Sequence, residues 1–567
     1  SGRRGFIRGE YYNNFGQEQN MKTKEGLIVP NQYFIKNSKQ TPEYNARILG
    51  TKRILSLAFQ AGFSWKDLLF MDVTGRNDWA SSLVYSDKHG NYSYFYPSVN
   101  ASWLISNMFR EELPDWISFA KVRGSWAQVG NDTDPYLVNT AYKLNTSTMA
   151  NNNNYYGLKL SDSSYDQNLK PERKNAWEVG IDWRFFDNRI GIDATYYKEN
   201  TYNQIMSIEV PGVSGIKNQL INAGNIENRG IELALNTVPF RNENWEWTLD
   251  FTWSKNMNKI ISLHENVADY IRLSGDVSYG NYRIGSVAKV GSAYGLLLTD
   301  SELKYDKKSG LPILGWRDAQ RTAHYLRNEA EIQEIGSMLP DFIGGISTGL
   351  TWKNWNVRVG LDMRFGGYVA SYNSRYGTAY GFTENSLKGR PGHGGVEWTS
   401  KYDGIAYRDG VIPNGILPEG TKITQPDKSV YTVGKGGVSD AGESYEELIK
   451  KGVIEPTHVS GWTYRNNAWT MAGRNYGVVN EDWVKKLNYI ALRDVMLSYR
   501  MPTNICSKLN AKSMNLILAG HNLGYLLNTA PSGENPESVS GTSAAEFRIR
   551  SYTGVTSSFT FTVNIGF

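Results

Sequence analysis

The sequence lacks what makes a membrane helix, a disulfide scaffold or a metal enzyme. No run approaches the ~18 apolar residues of a helical span, and mean hydropathy is −0.48. A single cysteine, Cys506, rules out an internal disulfide, says nothing of compartment, and reads as incidental rather than redox-active. The six histidines are scattered without ligand spacing and read as ordinary surface side chains. Charge of one sign is also missing: 61 Lys and Arg are interspersed with 56 Asp and Glu, for a net charge of +5. With no basic block, no nucleic-acid partner is expected. No G-x-S-x-G elbow with Asp and His partners stands out, and no repeat of propeller or solenoid period appears. Glu446-Glu447 reads as solvent-facing charge, and Asn131-Asp132-Thr133-Asp134 as a turn lacking a calcium loop's spaced ligands. No catalytic set, metal or cofactor is expected, and the chain does not read as an enzyme.

What is present is alternation. From Phe559 to Phe567 the order is Phe, Thr, Phe, Thr, Val, Asn, Ile, Gly, Phe, so every second residue is apolar. Successive side chains of a strand point to opposite faces, so one face is apolar and the other polar. Trp177–Phe185, Trp245–Trp253 and Trp355–Phe365 repeat the pattern. A nine-residue alternation arises by chance roughly 0.7 times in such a chain on a simple template count, so these four are a signal. Soluble sandwich strands run about 5–6 residues, whereas a tilted strand needs about 9–11 to cross a bilayer. The 36 Tyr, 17 Trp and 56 Gly suit aromatic girdles and glycine-tolerant strands. The expected fold class is all-β: a transmembrane antiparallel β-barrel. An exported barrel carries a leader, so the start at Ser1-Gly2-Arg3-Arg4-Gly5 leads us to expect further sequence upstream.

Short and long connections alternate. Trp65-Lys66-Asp67, Phe186–Arg189, Pro239–Asn244, Lys353-Asn354 and Met501–Ser513 carry the Asn, Asp and Pro chemistry of tight turns. Between them lie long polar stretches: Asn13–Tyr44, Asn131–Arg173, Thr201–Asn228, Met257–Pro340 and Gly366–Lys486. Short periplasmic turns and long extracellular loops are the barrel pattern, and the count is about fourteen strands. Trp65, Trp116, Phe186, Trp352, Trp355 and Phe567 are the candidates for the periplasmic aromatic girdle. Gly366–Lys486 (366–486) is read as a long extracellular loop region of one β-barrel spanning 1–567, not as an autonomous domain.

Several segments, in order, resemble SusC/RagA-type TonB-dependent transporters of Bacteroidetes-like bacteria. They are Thr74–Leu83 (TGRNDWASSL), Tyr96–Trp103 (YPSVNASW), Lys121–Trp126 with Gly130-Asn131, and Leu169–Glu172 with Glu178 and Gly180. Asn222–Gly230 with Glu232, Trp483 with Leu492–Tyr499, Gly520–Leu523 and Pro536-Glu537 complete the set. The resemblance covers only the later strands of the family's barrel of about 22 strands. Such a portion would leave open sheet edges facing lipid, so the remaining strands and plug are expected elsewhere, in the same polypeptide or another. The resemblance implies an outer-membrane, TonB-dependent importer of oligosaccharides or oligopeptides with a SusD-like surface lipoprotein as lid. TonB would act through the plug region. The alternatives are a passive outer-membrane porin or structural barrel, and an extracellular binding or enzymatic β-protein.

Two residue groups are candidates for ligand passage. Tyr155, Tyr156, Tyr372, Tyr376, Tyr380, Trp398, Trp462, Tyr464, Trp469 and Tyr476 lie in expected extracellular loops beside polar residues, where aromatic faces can hold sugar rings or peptide side chains. Stapling the loops together is their other reading. Asp182, Arg184, Asp250, Arg358, Asp362 and Arg364 fall on the polar side of their strands and are expected to face the lumen.

Overall fold

The structure is a computed structural model. It describes residues 2–14, 18–22, 43–47, 51–134, 137–138, 143–148, 154–159, 163–210, 215–216, 218–222, 224–264, 267, 269–273, 277–279, 282–300, 302–328, 332–380, 382–387, 390–458, 483–539, 546–550, 554 and 556–567. The chain divides into two compact units. The first comprises Ser1–Asn188, Asp193–Arg229 and Ile260–Ala268, and the second Arg189–Ile192, Gly230–Lys259 and Asp269–Phe567.

In the first unit the long strands follow one another as sheet neighbours: β1 (Gly2–Asn14), β2 (Thr51–Trp65), β3 (Leu69–Ala80), β4 (Ser93–Leu104), β5 (Ile117–Asn131), β6 (Glu172–Phe185) and β7 (Ile190–Tyr202). The second holds β8 (Asn225–Arg241, its first residues in the first unit), β9 (Trp245–Ser262), β10 (Phe342–Trp352), β11 (Trp355–Ser371), β12 (Val484–Arg500), β13 (Ser513–Asn528) and β14 (Ser558–Gly566). The registers resolved from β1 to β6 and from β9 to β14 are antiparallel. The short turns are made by residues in the left-handed region, Lys66 and Asp67 (φ 50° and 54°), Phe186–Asn188 (54° to 62°) and Lys353 (51°). Lys353-Asn354 is a two-residue hairpin closed by the Trp352–Trp355 pair.

The alternation becomes two chemically distinct faces. Phe59, Phe63, Trp65, Leu69, Met71, Trp126, Trp177 and Val179 are exposed on one face of the first unit. Phe559, Phe561, Val563 and Ile565 are exposed on the corresponding face of β14, with Thr560, Thr562 and Asn564 between them. Exposed apolar rows of this extent match a lipid-facing band. Gly75 belongs to that face: a Cβ there would lie 2.3 Å from the Phe59 ring and 2.9 Å from the Phe95 ring. Its lack of a side chain lets rings from both neighbouring strands close over β3.

Strands extend past their expected ends. β8 continues through Pro239 to Arg241, and β11 passes Gly366 and Gly367 before ending at Ser371. The connection Met501–Ser513, expected as a plain turn, contains a short helix, Thr503–Lys508, in which Cys506 is buried.

The long connections of the second unit build a module with its own core. Leu314 and Ala323 pack with Leu417, Ile423, Val433, Tyr445, Leu448 and Ile454. Region 366–486 therefore shares this core with the preceding connection rather than building it alone. The helix Tyr445–Lys450 starts with a capping box: Ser444 accepts from the Glu447 N–H, and the Glu447 carboxylate accepts from the Ser444 N–H. Glu443 is buried, where desolvation alone would raise its pKa. Lys451, the Gly434 N–H (2.8 Å) and the Tyr431 hydroxyl (2.9 Å) outweigh that and hold it below the usual carboxylate range.

His324 lies against Gly315, where a Cβ would approach the imidazole to 2.5 Å. Burial, reinforced by the charge of Arg317, pushes its pKa down to about 4. The unfolded chain therefore takes up a proton first. The contribution to stability is complete above about pH 6.5 and is lost as pH falls toward 4, by up to roughly 3 kcal/mol. Amide exchange over Leu314–Tyr325, corrected for intrinsic rate, is expected to accelerate at pH 5 relative to pH 7. The acceleration should vanish in His324→Phe.

Candidate functional site

The polar faces carry a lattice of ion pairs built on the strand registers. In the first unit Arg123 of β5 reaches across β6 to β7, where its two terminal nitrogens donate to Asp193 at 2.7 and 2.9 Å and one also donates to Thr195 at 2.5 Å. The path crosses Gly180, its register partner in β6, where a Cβ would stand 2.8 Å from Arg123 Nε. The glycine is thus the gap through which one side chain ties three strands. Around it Asp72, Asn100, Lys121, Arg123 and Glu178 wall an open hollow of ≈ 250 Å³. Filling the gap with Gly180→Val should reduce the Arg123–Asp193 coupling from about 1 kcal/mol to near zero. A double-mutant cycle in urea, run with and without the valine, measures this.

Asp182 and Arg184 occupy the same face of β6, 3.6 Å apart, with the guanidinium over the Phe119 ring at 5.2 Å. On β3, Arg76 Nε donates to Asp78 at 2.7 Å, and Asp78 also accepts from the Tyr96 hydroxyl.

Toward the long connections, the segments quoted above hold one another. Asn131 donates to Glu172 at 3.1 Å, and Glu172 accepts from the Ile205 N–H at 2.9 Å. Asn222 brackets Lys170, accepting from its N–H and donating to its carbonyl, both at 2.8 Å. Asp132, read from sequence as part of a solvated turn, is buried between Lys52 (2.7 Å) and Ser82 (2.7 Å). Among the described residues no group of three or more His, Cys, Asp or Glu is placed to hold a metal.

In the second unit the focus is Arg493. The β11–β12 register shifts between Gly360 and Leu361, which pair with Asp494 and Leu492, and Arg493 is the extra residue. It donates to Asp362 through Nε at 2.6 Å and to both oxygens of Glu537 through its terminal nitrogens, one at 2.9 Å. Tyr525 and Tyr489 also donate to Glu537, at 3.1 and 3.4 Å. The connection between β13 and β14 is tethered to the polar wall in this way. Nearby, Glu534 accepts from the Ser371 hydroxyl at 2.6 Å. Of the other lumen candidates, Arg364 donates to the Met338 carbonyl at 3.2 Å and Asp250 accepts from Asn236 at 2.8 Å. Arg358 is exposed, its register partner being Met496.

The girdle candidates sit at the short-turn ends. Trp116 stacks near Phe185 and Phe186 (5.7 and 6.1 Å), Trp352 on Trp245 (5.7 Å), and Trp355 near Tyr499 (4.5 Å). Trp65 and Phe567 are exposed. Tyr155 and Tyr156 are in the hairpin strand Asn154–Lys159, and Tyr372, Tyr376 and Tyr380 on the helix Tyr372–Tyr380. Trp398 belongs to the loop module, and Trp462, Tyr464, Trp469 and Tyr476 lie outside the described residues.

Comparison with known proteins decides the family. The family described as "TonB dependent receptor-like, beta-barrel" matches residues 4–394. The chain belongs to that family. TonB-dependent receptor P26 of Formosa agariphila is 29% identical over 313 residues, 53% of this chain and 31% of the relative. TonB-dependent receptor SusC of Bacteroides thetaiotaomicron is 24% identical over 325 residues, 56% of this chain and 31% of the relative. The matched portion thus spans about a third of these curated relatives. Among solved structures, the RagAB peptide transporter superposes with a TM-score of 0.61 at 14% identity, over 100% of this chain and 56% of that one. The fold of this TonB-dependent receptor-like chain is thus that of an outer-membrane β-barrel, and its apolar strand faces are the lipid-facing ones.

Three residues that organise the polar wall of this family member, Arg123, Arg493 and Glu537, were legible only as parts of the resemblance, with no role attached. For Arg123 the signal was there: a cation on the polar phase of β5, opposite the lone Gly180 of β6. For Arg493 none existed, because a bulge breaks the alternation that would have placed it.

Proposed function

We propose that the chain is the later part of the barrel of an active importer carrying oligosaccharides or oligopeptides across the outer membrane. A plug, the preceding strands and the TonB contact belong to the two thirds of the curated relatives' length outside the matched portion. A SusD-like surface lipoprotein lids the long-loop side and hands over the ligand. The carrying observation is the polar lattice: Arg123–Asp193, Asp182–Arg184 and Asp362–Arg493–Glu537 all lie on the face opposite the lipid-facing rows. These pairs fix a hydrated, charge-balanced wall, with acceptors and donors for neutral polar solutes and no uniform field to trap an ion.

Extraction from the native outer membrane in mild detergent, with every co-purifying chain identified by mass spectrometry, tests this reading. Peptides from sequence upstream of Ser1 together with a stoichiometric surface lipoprotein are expected. A stable, partner-free 63.9 kDa chain would instead favour a passive pore.

A further inference from the structure

The lipid-facing side of the first unit is not evenly filled. Across the registers of β2 to β6, one row of side chains runs Phe63, Met71, Ala101, Gly124 and Val179. The next row toward the short turns runs Trp65, Leu69, Trp103 and Val122. Ala101 and Gly124 stand side by side between taller neighbours and leave a trough of ≈ 520 Å³ lined by both rows. One wall is fixed from behind. Trp103 Nε1 donates to the Met108 sulfur at 3.1 Å, and the indole meets the Phe109 ring edge-on at 6.0 Å.

Gly124 has no role inside the chain that accounts for it. Its φ is not in the left-handed region, and a Cβ there would meet only the Glu178 carbonyl oxygen, at an ordinary 3.8 Å. Gly75 and Gly180 differ, since a Cβ at either would strike a neighbouring side chain at 2.3 or 2.8 Å. Glycine weakens a strand interior and often marks a close approach from outside. Among the described residues no side chain fills the space above it.

We propose that this trough binds one acyl chain of a glycerophospholipid in the periplasmic leaflet. It is continuous with the lipid-facing band and reaches the short-turn end, where hydrocarbon gives way to headgroups. Its apolar walls offer water no partners. Lys66 and Asp67 are exposed on the turn beside Trp65, with Lys66 Nζ 5.0 Å from the centre of that ring. They place one charge of each sign at headgroup level, the complement of a zwitterionic phospholipid. Bulk lipid is as apolar as the trough, so selectivity comes from dispersion contacts with fixed walls. The preference over bulk lipid is therefore modest, about tenfold. The site rests on the barrel's place in the membrane and on nothing about import.

The full-length protein is placed in phospholipid vesicles containing a small fraction of phosphatidylethanolamine with a diazirine in one acyl chain. After irradiation, crosslinked peptides are read by mass spectrometry. Labelling at Met71, Ala101 and Trp103 should exceed that at Val357, Val359 and Leu361, on the lipid-facing side of β11, by roughly tenfold. Gly124→Leu fills the trough from a position with room for the side chain and should erase the excess. Ala101→Leu fills the same space from the adjacent strand and should do likewise. An unlowered urea midpoint shows that each variant still folds. Equal labelling of the two rows in the parent protein, or an excess that survives both variants, overturns the proposal. Crosslinks between copies of the chain in place of lipid would assign the trough to a second copy and overturn it too. Absence of lipid labelling at both rows would overturn the membrane assignment along with the site.

Discussion

Phe561→Arg is expected to cost the folded protein about 2–4 kcal/mol in a bilayer, and Thr562→Arg less than about 1. The two positions are adjacent on β14 and differ only in face. Phe561 pairs with Leu518 in the exposed apolar row, whereas Thr562 pairs with Ile517 on the opposite face. A guanidinium at 561 must snorkel or draw water into hydrocarbon, while one at 562 stays hydrated. Urea titration of the full-length protein in lipid vesicles, followed by tryptophan fluorescence, gives both numbers. Equal costs would mean that β14 does not divide lipid from water.

The second large effect belongs to the loop module. Tyr445 is fully buried, and its hydroxyl bonds to the Glu455 carbonyl and the Thr457 hydroxyl, both at 2.8 Å. Tyr445→Ala leaves a cavity at the centre of the module and is expected to destabilise it by about 3–5 kcal/mol. Tyr445→Phe keeps the ring, removes the bonds to the Glu455 carbonyl and the buried Thr457 hydroxyl, and should cost about 1–3 kcal/mol. Hydrogen exchange over Leu417–Ile454 reads both effects, with the exchange of β14 unchanged as the internal control. Loosening that spread equally to β14 would show that the module does not open as a unit of its own.

How far sequence reached follows from which forces are local. Trp355–Phe365 was legible because a strand that separates lipid from water imposes period two on its own residues. β11 nevertheless continues to Ser371. Gly366 and Gly367, both with positive φ, form a bulge between Phe365 and Tyr368 that breaks the alternation, so the strand's end read as loop. Arg493 was hidden for the same reason, since it bulges from β12 against β11 and belongs to neither face. The loop module escaped notice because its core joins Leu314 and Ala323 to residues about a hundred positions later, and no local period connects them. The Arg123–Gly180–Asp193 bridge lies between. Its residue types were visible, but their meeting depends on the register of three strands.

The central claim, that one strand face meets lipid and the other a water-filled lumen, is tested most directly by single cysteines walked along Trp355–Phe365. Cys506→Ser removes the chain's only cysteine. The labels are a water-soluble maleimide and, separately, a fluorophore quenched by nitroxide lipids in the native outer membrane. The structure predicts strict alternation: positions 357, 359 and 361 quenched by lipid and refractory to the water-soluble reagent, and positions 358, 360 and 362 the reverse. Water-soluble labelling at both sets, with no lipid quenching at either, would contradict the account and make this a soluble β-protein.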